Sequence, residues 1–406
     1  MIKRLANLKL KQVIRQMKNI AIDARFLLRQ QRGMPMYVYM LCKGLPDLMP
    51  DVHFYFLINK MFEHNDIIEN YSHRLEEVGK PQNVTVINAD AEDEVSWEVF
   101  VLPKLLKQYH IDLLHMPGNR VCLTARTPQI VTFHDAMEWT RLKMFEGIAW
   151  CKGIKPNLYS LKMKIYCWIT YYFGSKKASH ILTISDYSRS SLVNCFPGIK
   201  NKTSYVHHGI PEDFVHLKEQ KMLGERSGIL MLGGDSYQKN PVNAIKAWAQ
   251  LPISLRQAYP LTIAGFTGDE SSPLMKAIKQ LDIEREVTIK SWVAHDEIIR
   301  LFNDSVLFLF VSREEGFGFP LIQAMSSGTP TVCSTADVLT EIGKESVLSA
   351  DAESADEISA QMYLILTNQK LWQKLHVSGL RRANEFSWAK TYEHISGLYR
   401  QYLEKC

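Results

Sequence analysis

Residues 306–334, V-L-F-L-F-V-S-R-E-E-G-F-G-F-P-L-I-Q-A-M-S-S-G-T-P-T-V-C-S, run from an apolar strand through a glycine-rich loop into a short helix and on to a second strand. The apolar stretch shows no polar alternation, as in a strand covered on both faces of a parallel sheet. Pro320 suits the first helical turn, where its missing N–H costs nothing, and Gly328 ends the helix. Gly316 and Gly318 remove side chains where the backbone must come close to something, and the helix start offers unsatisfied N–H groups to an anion. Glu315 stands at the lip of this phosphate cradle. The loop lacks the Gly-Lys-Ser/Thr of a P-loop and the third glycine of a dinucleotide fingerprint, which disfavours ATP hydrolysis and hydride transfer.

The alternation of strand and helix extends in both directions. Strands are expected at 229–232, 261–264, 287–289, 306–311 and 331–333, and in an earlier series at 19–24, 54–58, 84–87, 113–115, 130–133 and 181–184, with a helix at 36–45 after the first. Such alternation builds parallel sheets flanked by helices. With 406 residues, too many for one core, the fold class is α/β: two Rossmann-like domains, 19–206 and 228–386, facing across a cleft. A linker at 207–227 is punctuated by Gly209 and Pro211, and a last helix in 387–406 returns to brace the first domain. Ligands of open α/β sheets bind at the carboxyl ends of the strands.

At 46% apolar and 22% charged residues the chain is an ordinary globular one, not a disordered or fibrous one. Its seven cysteines include no C-x-x-C pair, which predicts reduced thiols and no zinc site. No apolar run approaches the ~18 residues of a bilayer span, and no signal-type core follows Lys3 and Arg4. A cytoplasmic chain is expected.

The net charge of +5 is unevenly spread. Residues 1–18 hold six basic residues and no acid; residues 141–177 hold eight basic residues, one acid and eight aromatics; the remainder is net −8. A nucleic-acid binder is usually basic in its body as well, so no nucleic-acid partner is expected. At helical spacing, residues 2–18 put Ile2, Leu5, Leu10, Val13, Ile14 and Met17 on one side and most of the basic residues on the other. A basic amphipathic helix of this kind either packs on its own protein or lies on anionic lipid. Residues 1–18 and 141–177 are therefore the candidate contacts with an anionic membrane surface, with the chain peripheral at the cytoplasmic face of the inner membrane.

The 306–334 segment resembles the signature of the retaining glycosyltransferases of family 4, which have the two-domain GT-B architecture. That family reads E-G-F-G-x-P-x-x-E-A-M-A-x-G-x-P-V, matched here by Glu315, Gly316, Phe317, Gly318, Pro320, Ala324, Met325, Gly328 and Pro330. The resemblance continues at I-D-A-R (22–25) with Gly33, H-D (His134, Asp135), I-S-D-Y-S-R (184–189), Lys239-Asn240 and F-S-W (386–388), covering nearly all of the chain after residue 18. It implies a metal-independent transferase without cofactor that moves a sugar, by family habit from GDP-mannose, to a glycan or lipid-linked acceptor in cell-surface polysaccharide assembly. The acidic run 90–94 contains no D-x-D, the pattern of the other, metal-dependent glycosyltransferase fold.

By the same resemblance, Glu315 lies by the donor sugar, Lys239 neutralises the diphosphate and His134 sits near the sugar, with Asp135 orienting its loop. Donor contacts are further expected from Gly33, Gly233, Gln238, Asn240, Trp292, Val293, Gly316, Phe317, Gly318, Phe319, Pro320 and Gln323. Two positions depart from the pattern. Gln323 replaces the family's second acid, which accepts from the ribose hydroxyls; an amide oxygen still accepts, without the charge-assisted strength. Gln238 replaces an arginine, leaving more of the charge to Lys239. These departures keep open a non-catalytic nucleotide-sugar-binding subunit, and an epimerase or hydrolase of the same fold. On the residues alone, Asp23 and Arg25 fit a structural pair as well as a ligand contact, and His134 also fits a satisfied core histidine.

Overall fold

A computed structural model of the chain describes residues 17–28, 33–59, 72–137, 139, 158–211, 214, 220–291 and 293–405. The expected amphipathic start up to residue 16, Trp292 and the beginning of the 141–177 segment lie outside them. The chain divides into two compact units, residues 1–208 with 388–406, and residues 209–387.

Unit 1 holds a seven-stranded parallel sheet: β1 (Lys18–Asp23), β2 (Val52–Asn59), β3 (Val84–Ala89), β4 (Leu113–Met116), β5 (Gln129–Thr132), β6 (His180–Thr183) and β7 (Thr203–Tyr205) in the order β3-β2-β1-β4-β5-β6-β7. Its central strands are buried on both faces, with Ile20, Ala21, Ile22, Leu113, Leu114, Ile130 and Val131 sealed from solvent. That accounts for their unbroken apolar sequence. The chain steps off β1 into helix Gly33–Leu48, and helix Leu158–Lys177 precedes β6. Ser185 starts helix Asp186–Cys195 by accepting the Ser188 N–H at 3.0 Å, so the I-S-D-Y-S-R motif is in part a helix cap. The last helix, Trp388–Leu403, belongs to this unit: the Tyr399 hydroxyl lies 2.5 Å from His115 Nδ1, and Thr391 donates to the His207 carbonyl at 2.8 Å.

Unit 2 repeats the plan with six parallel strands, β8 (Ile229–Leu232), β9 (Leu261–Ala264), β10 (Val287–Lys290), β11 (Leu307–Phe310), β12 (Thr331–Ser334) and β13 (Leu348–Ala350), ordered β10-β9-β8-β11-β12-β13. In both sheets the strand order reverses once, between β1 and β4 and between β8 and β11. A reversal of this kind leaves a crevice at the carboxyl ends of the two strands, since their connections leave to opposite sides.

Strands β7 and β13 were not expected from the sequence: T-S-Y and L-S-A are three-residue edge strands without an apolar run. The stretch expected as a linker is not uniformly one. His208 is buried in unit 1, whereas Arg226 is buried in unit 2, its guanidinium donating to the Ser305 and Ser327 carbonyls at 3.1 and 2.7 Å. Among the described residues no helix is long and apolar enough to cross a membrane, and Cys42, Cys122, Cys167, Cys195 and Cys333 are free thiols.

Candidate active site

In unit 2 the two loops that leave β8 and β11 meet. The first ends in a helical turn, Tyr237–Lys239, and the second carries Arg313, Glu314 and Glu315. Lys239 Nζ lies 2.6 Å from Glu315 Oε1, with side chains 25% and 11% exposed. Two residues 76 apart in sequence thus form an ion pair at the strand reversal, where a ligand is expected. The loops are stitched on either side. Gln238 Nε2 donates to the Glu314 carbonyl at 2.8 Å, the Arg313 N–H donates to the Gln238 carbonyl at 2.8 Å, and the Arg313 guanidinium lies 3.9 Å over the Tyr237 ring. Gln238 therefore serves as a strut in this geometry. Arg313, which is also paired with Glu353, was missed in the sequence, where V-S-R-E-E reads as a plain charged loop.

The backbone after Glu315 turns sharply. Gly318 holds φ at +92°, and a Cβ there would come within 2.8 Å of Leu339, so both conformation and space require glycine. Helix Phe319–Ser326 starts at once, with Pro320 in its first turn. Pro320 has no N–H and the Leu321 N–H is donated to the Gly318 carbonyl at 2.9 Å, so the positive end of the helix dipole acts here through its field, beside the Lys239 ammonium. Gln323 sits half-buried on the same helix, and Phe319, Pro320 and Gly316 are also half-buried. Gly233 lies against the stem of Lys239, where a Cβ would come within 3.3 Å.

Three of the residues expected at the donor are buried. Asn240 is wholly buried in the left-handed conformation at φ +56°, and its amide donates to the Val311 and Ala352 carbonyls at 3.0 and 2.6 Å. It shapes the turn that presents Lys239. Phe317 is 2% exposed and packs edge-on against Phe319 and Phe386, so the signature phenylalanine is a core residue. Val293 is likewise buried.

In unit 1, His134 follows β5 and is held by the loop after β4. Its backbone N–H donates to Asn119 Oδ1 at 2.7 Å, and its Nε2–H donates to the Pro117 carbonyl at 2.8 Å. A carbonyl only accepts, so the proton is on Nε2 and Nδ1 is the acceptor of the neutral ring. Burial pushes the imidazole down to about 4, the Pro117 contact offsetting part of this. Asp135 accepts the Met137 N–H at 2.8 Å and Tyr171 donates to the Asp135 carbonyl at 3.1 Å, which orders this loop. Asn119, at φ +57°, was missed, although Gly118-Asn119 after a strand is a turn signal. Gly33 opens its helix at φ +32°, and among the described residues beyond its neighbours and its own helix none lies within 4 Å of where its Cβ would be. Asp23 and Arg25 are a structural pair: the buried Arg25 donates to both Asp23 oxygens and to Glu98.

His134 belongs to a set of buried neutral imidazoles in unit 1. Burial takes His115 to about 3, His180 to about 4 and His208 well below the ordinary range. The unfolded chain takes up these protons near pH 6.5 while the folded one refuses them until near pH 4, so acid favours unfolding across that window. Full displacement of His134 alone corresponds to on the order of 3 kcal/mol. The melting temperature is expected to be level above pH 7 and to fall steeply between pH 6 and pH 4; a flat profile there in a calorimetric pH series would contradict the buried neutral state.

Two open parallel sheets flanked by helices, each with one reversal in strand order, make this an α/β fold of the GT-B type. The family described as "Glycosyltransferase Family 4" matches residues 31–214, and that described as "Glycosyl transferases group 1" matches residues 216–380; the chain belongs to this family 4 type of GT-B glycosyltransferases. It is 29% identical over 221 residues to the O-antigen chain mannosyltransferase B of Escherichia coli, covering 52% of this chain and 58% of that one. It is 26% identical over 238 residues to the O-antigen chain mannosyltransferase RfbU of Salmonella typhimurium, covering 55% and 59%. The chain thus spans little more than half the length of these relatives. Among solved structures, the sucrose-phosphate synthase of Thermosynechococcus elongatus superposes with a TM-score of 0.70 at 15% identity, over 96% of this chain and 100% of that one. Anabaena HepE in complex with UDP and glucose does so with a TM-score of 0.66 at 16% identity, over 95% and 100%. At these identities the likeness is one of fold.

Proposed function

We propose that the chain is a retaining, metal-independent hexosyltransferase that moves mannose from GDP-mannose to a glycan or lipid-linked acceptor in surface polysaccharide assembly. The observation that carries this is the Lys239–Glu315 pair at the β8/β11 reversal, beside the start of helix Phe319–Ser326. A leaving nucleoside diphosphate gains charge as the anomeric C–O bond breaks. A fixed ammonium and the positive end of a helix dipole act where that charge develops. The acceptor oxygen bonds to the anomeric carbon on the face the diphosphate leaves, and the acceptor proton departs with the diphosphate. Glu315 holds Lys239 in place and takes donor hydroxyls; Gln323 accepts from the ribose through its amide oxygen. In unit 1, neutral His134 offers Nδ1 as a hydrogen-bond acceptor. The mannosyl choice is supported by the names of the relatives, and the metal-free route by the fixed Lys239 ammonium as a positive charge the chain itself supplies.

The test is incubation of the purified chain with GDP-mannose and a polyprenyl-diphosphate-linked glycan, with and without EDTA, reading anomeric configuration by NMR. Transfer with retention, unchanged by chelation, is expected. Activity abolished by EDTA and restored by a divalent cation overturns the metal-free route. Nucleotide-sugar binding by thermal shift without turnover assigns the chain instead to a non-catalytic subunit.

A further inference from the structure

Helix Leu158–Lys177 turns one side of its residues 165–177 into unit 1 and leaves the other exposed. The side turned into unit 1 carries Thr170, Tyr171, Gly174 and Ser175, all buried. Gly174 abuts Val121, where a Cβ would come within 2.6 Å, and Tyr171 packs on Phe133 with ring centroids 4.8 Å apart. Tyr166 donates to Glu98, and the Arg120 guanidinium lies 5.2 Å over the Tyr166 ring. These contacts fix the rotation of the helix about its axis.

The opposite side presents Ile165, Trp168 and Phe173 at 52%, 45% and 46% exposure. With Tyr172 they form one stripe at helical spacing. Trp168 stacks on Tyr172 at 5.4 Å and 5°, and Phe173 meets both rings edge-on. Single exposed apolar residues are ordinary, but a contiguous aromatic cluster on a rotationally fixed helix marks an interaction surface.

The charge beside it says what kind. Lys176 Nζ lies 4.1 Å over the Tyr172 ring and donates to its hydroxyl at 3.0 Å. Lys177 is exposed next to it, and Lys202 Nζ donates to the Lys176 and Ala178 carbonyls at 2.9 and 2.6 Å, adding a third cation at the helix end. Residues 165–177 contain no acid. Amphipathic rings flanked by ammonium groups match the headgroup layer of an anionic bilayer, with rings at the acyl boundary and cations at the phosphates. The lysines gathered at this end of the helix are complementary to anionic lipid and would repel the same lysines of a second copy.

We propose that the stripe of Ile165, Trp168, Tyr172 and Phe173, with Lys176 and Lys177, is an interfacial anchor that seats unit 1 on an anionic lipid surface. Its purpose rests on the proposed lipid-linked acceptor, but lipid binding is read without turnover. The full chain is sedimented with vesicles of phosphatidylcholine, and with vesicles of phosphatidylcholine and phosphatidylglycerol in equal parts. Binding is expected only to the anionic vesicles and is released by salt. Trp168→Ser with Phe173→Ser should weaken it about ten-fold or more. Lys176→Glu with Lys177→Glu should weaken it comparably at low salt and flatten the salt dependence. Both variants should keep the wild-type melting temperature and turnover on a water-soluble acceptor. Absence of binding by the wild type, or equal binding by wild type and variants, overturns the anchor. So does a wild-type dimer that the aromatic variant dissociates, since a second copy would then cover the stripe. Intact vesicle binding with no turnover on any acceptor would instead sink the transferase reading alone.

Discussion

Replacing Lys239 with alanine is expected to lower turnover by about two to three orders of magnitude, the cost of removing one fixed group that faces charge developing in a transition state. The geometry makes a sharper statement than that. Lys239 Nζ sits 2.6 Å from Glu315 Oε1 with both side chains mostly shielded, so the variant loses a cation and also leaves a carboxylate unopposed at the proposed diphosphate site. Donor affinity should therefore fall too, by about ten-fold or more, because a nearby like charge is repelled in a poorly screened setting. Adding Glu315→Gln to Lys239→Ala removes the repelling charge and should recover much of the donor affinity while leaving turnover low. Calorimetric titration with the nucleotide sugar and single-turnover kinetics separate the two effects. Turnover of Lys239→Ala within about three-fold of wild type would show that the ammonium does not meet the leaving group.

The elements that positioned this pair were largely legible. The apolar runs I-L-M-L and L-F-L-F of β8 and β11 are buried strands within the expected bounds, because a strand covered on both faces admits few polar residues. Strands β7 and β13 were not legible, since an edge strand of three residues is defined by its neighbour more than by its own sequence. Motif matching named Lys239 and Glu315, which the structure pairs, but could not say which matched side chains are turned inward. Phe317 and Asn240 lie within matched stretches and are turned inward, one into an aromatic cluster and one onto two carbonyls. Gln238 stands where the family has a cation, and only the structure shows its amide bracing the Glu314 backbone. The tautomer of His134 depends on the Pro117 carbonyl, 17 residues away, a relation no local pattern encodes.

Arg25 carries the largest expected effect on stability. Its guanidinium is buried between two carboxylates, with Nε 2.9 Å from Asp23 Oδ1, Nη2 2.7 Å from Asp23 Oδ2 and Nη2 3.0 Å from Glu98 Oε1, and it lies 5.4 Å over the Trp97 ring. Burial acts against its charge, but Asp23 and then Glu98 outweigh it and hold the guanidinium ionised well above its ordinary range. Burial raises the Glu98 carboxyl, and the Arg25 charge offsets this only in part. The sequence made Asp23 and Arg25 neighbours; Glu98 enters from a π-helical turn, Trp97–Val101, 73 residues further on. Arg25→Leu keeps most of the volume and strands two buried carboxylates, which should cost about 3–5 kcal/mol. Glu98→Gln leaves the Arg25–Asp23 fork intact and should cost no more than about 1–2 kcal/mol. The pH dependence gives the mechanism away. Without the guanidinium, the folded variant relieves the strain by binding protons the unfolded chain releases more readily, so its deficit should narrow as pH falls from 8 toward 5. Urea denaturation of wild type, Arg25→Leu and Glu98→Gln at several pH values reads all three expectations. A deficit in Arg25→Leu that stays constant with pH would mean that lost packing over Trp97, and not stranded charge, is what the arginine supplies.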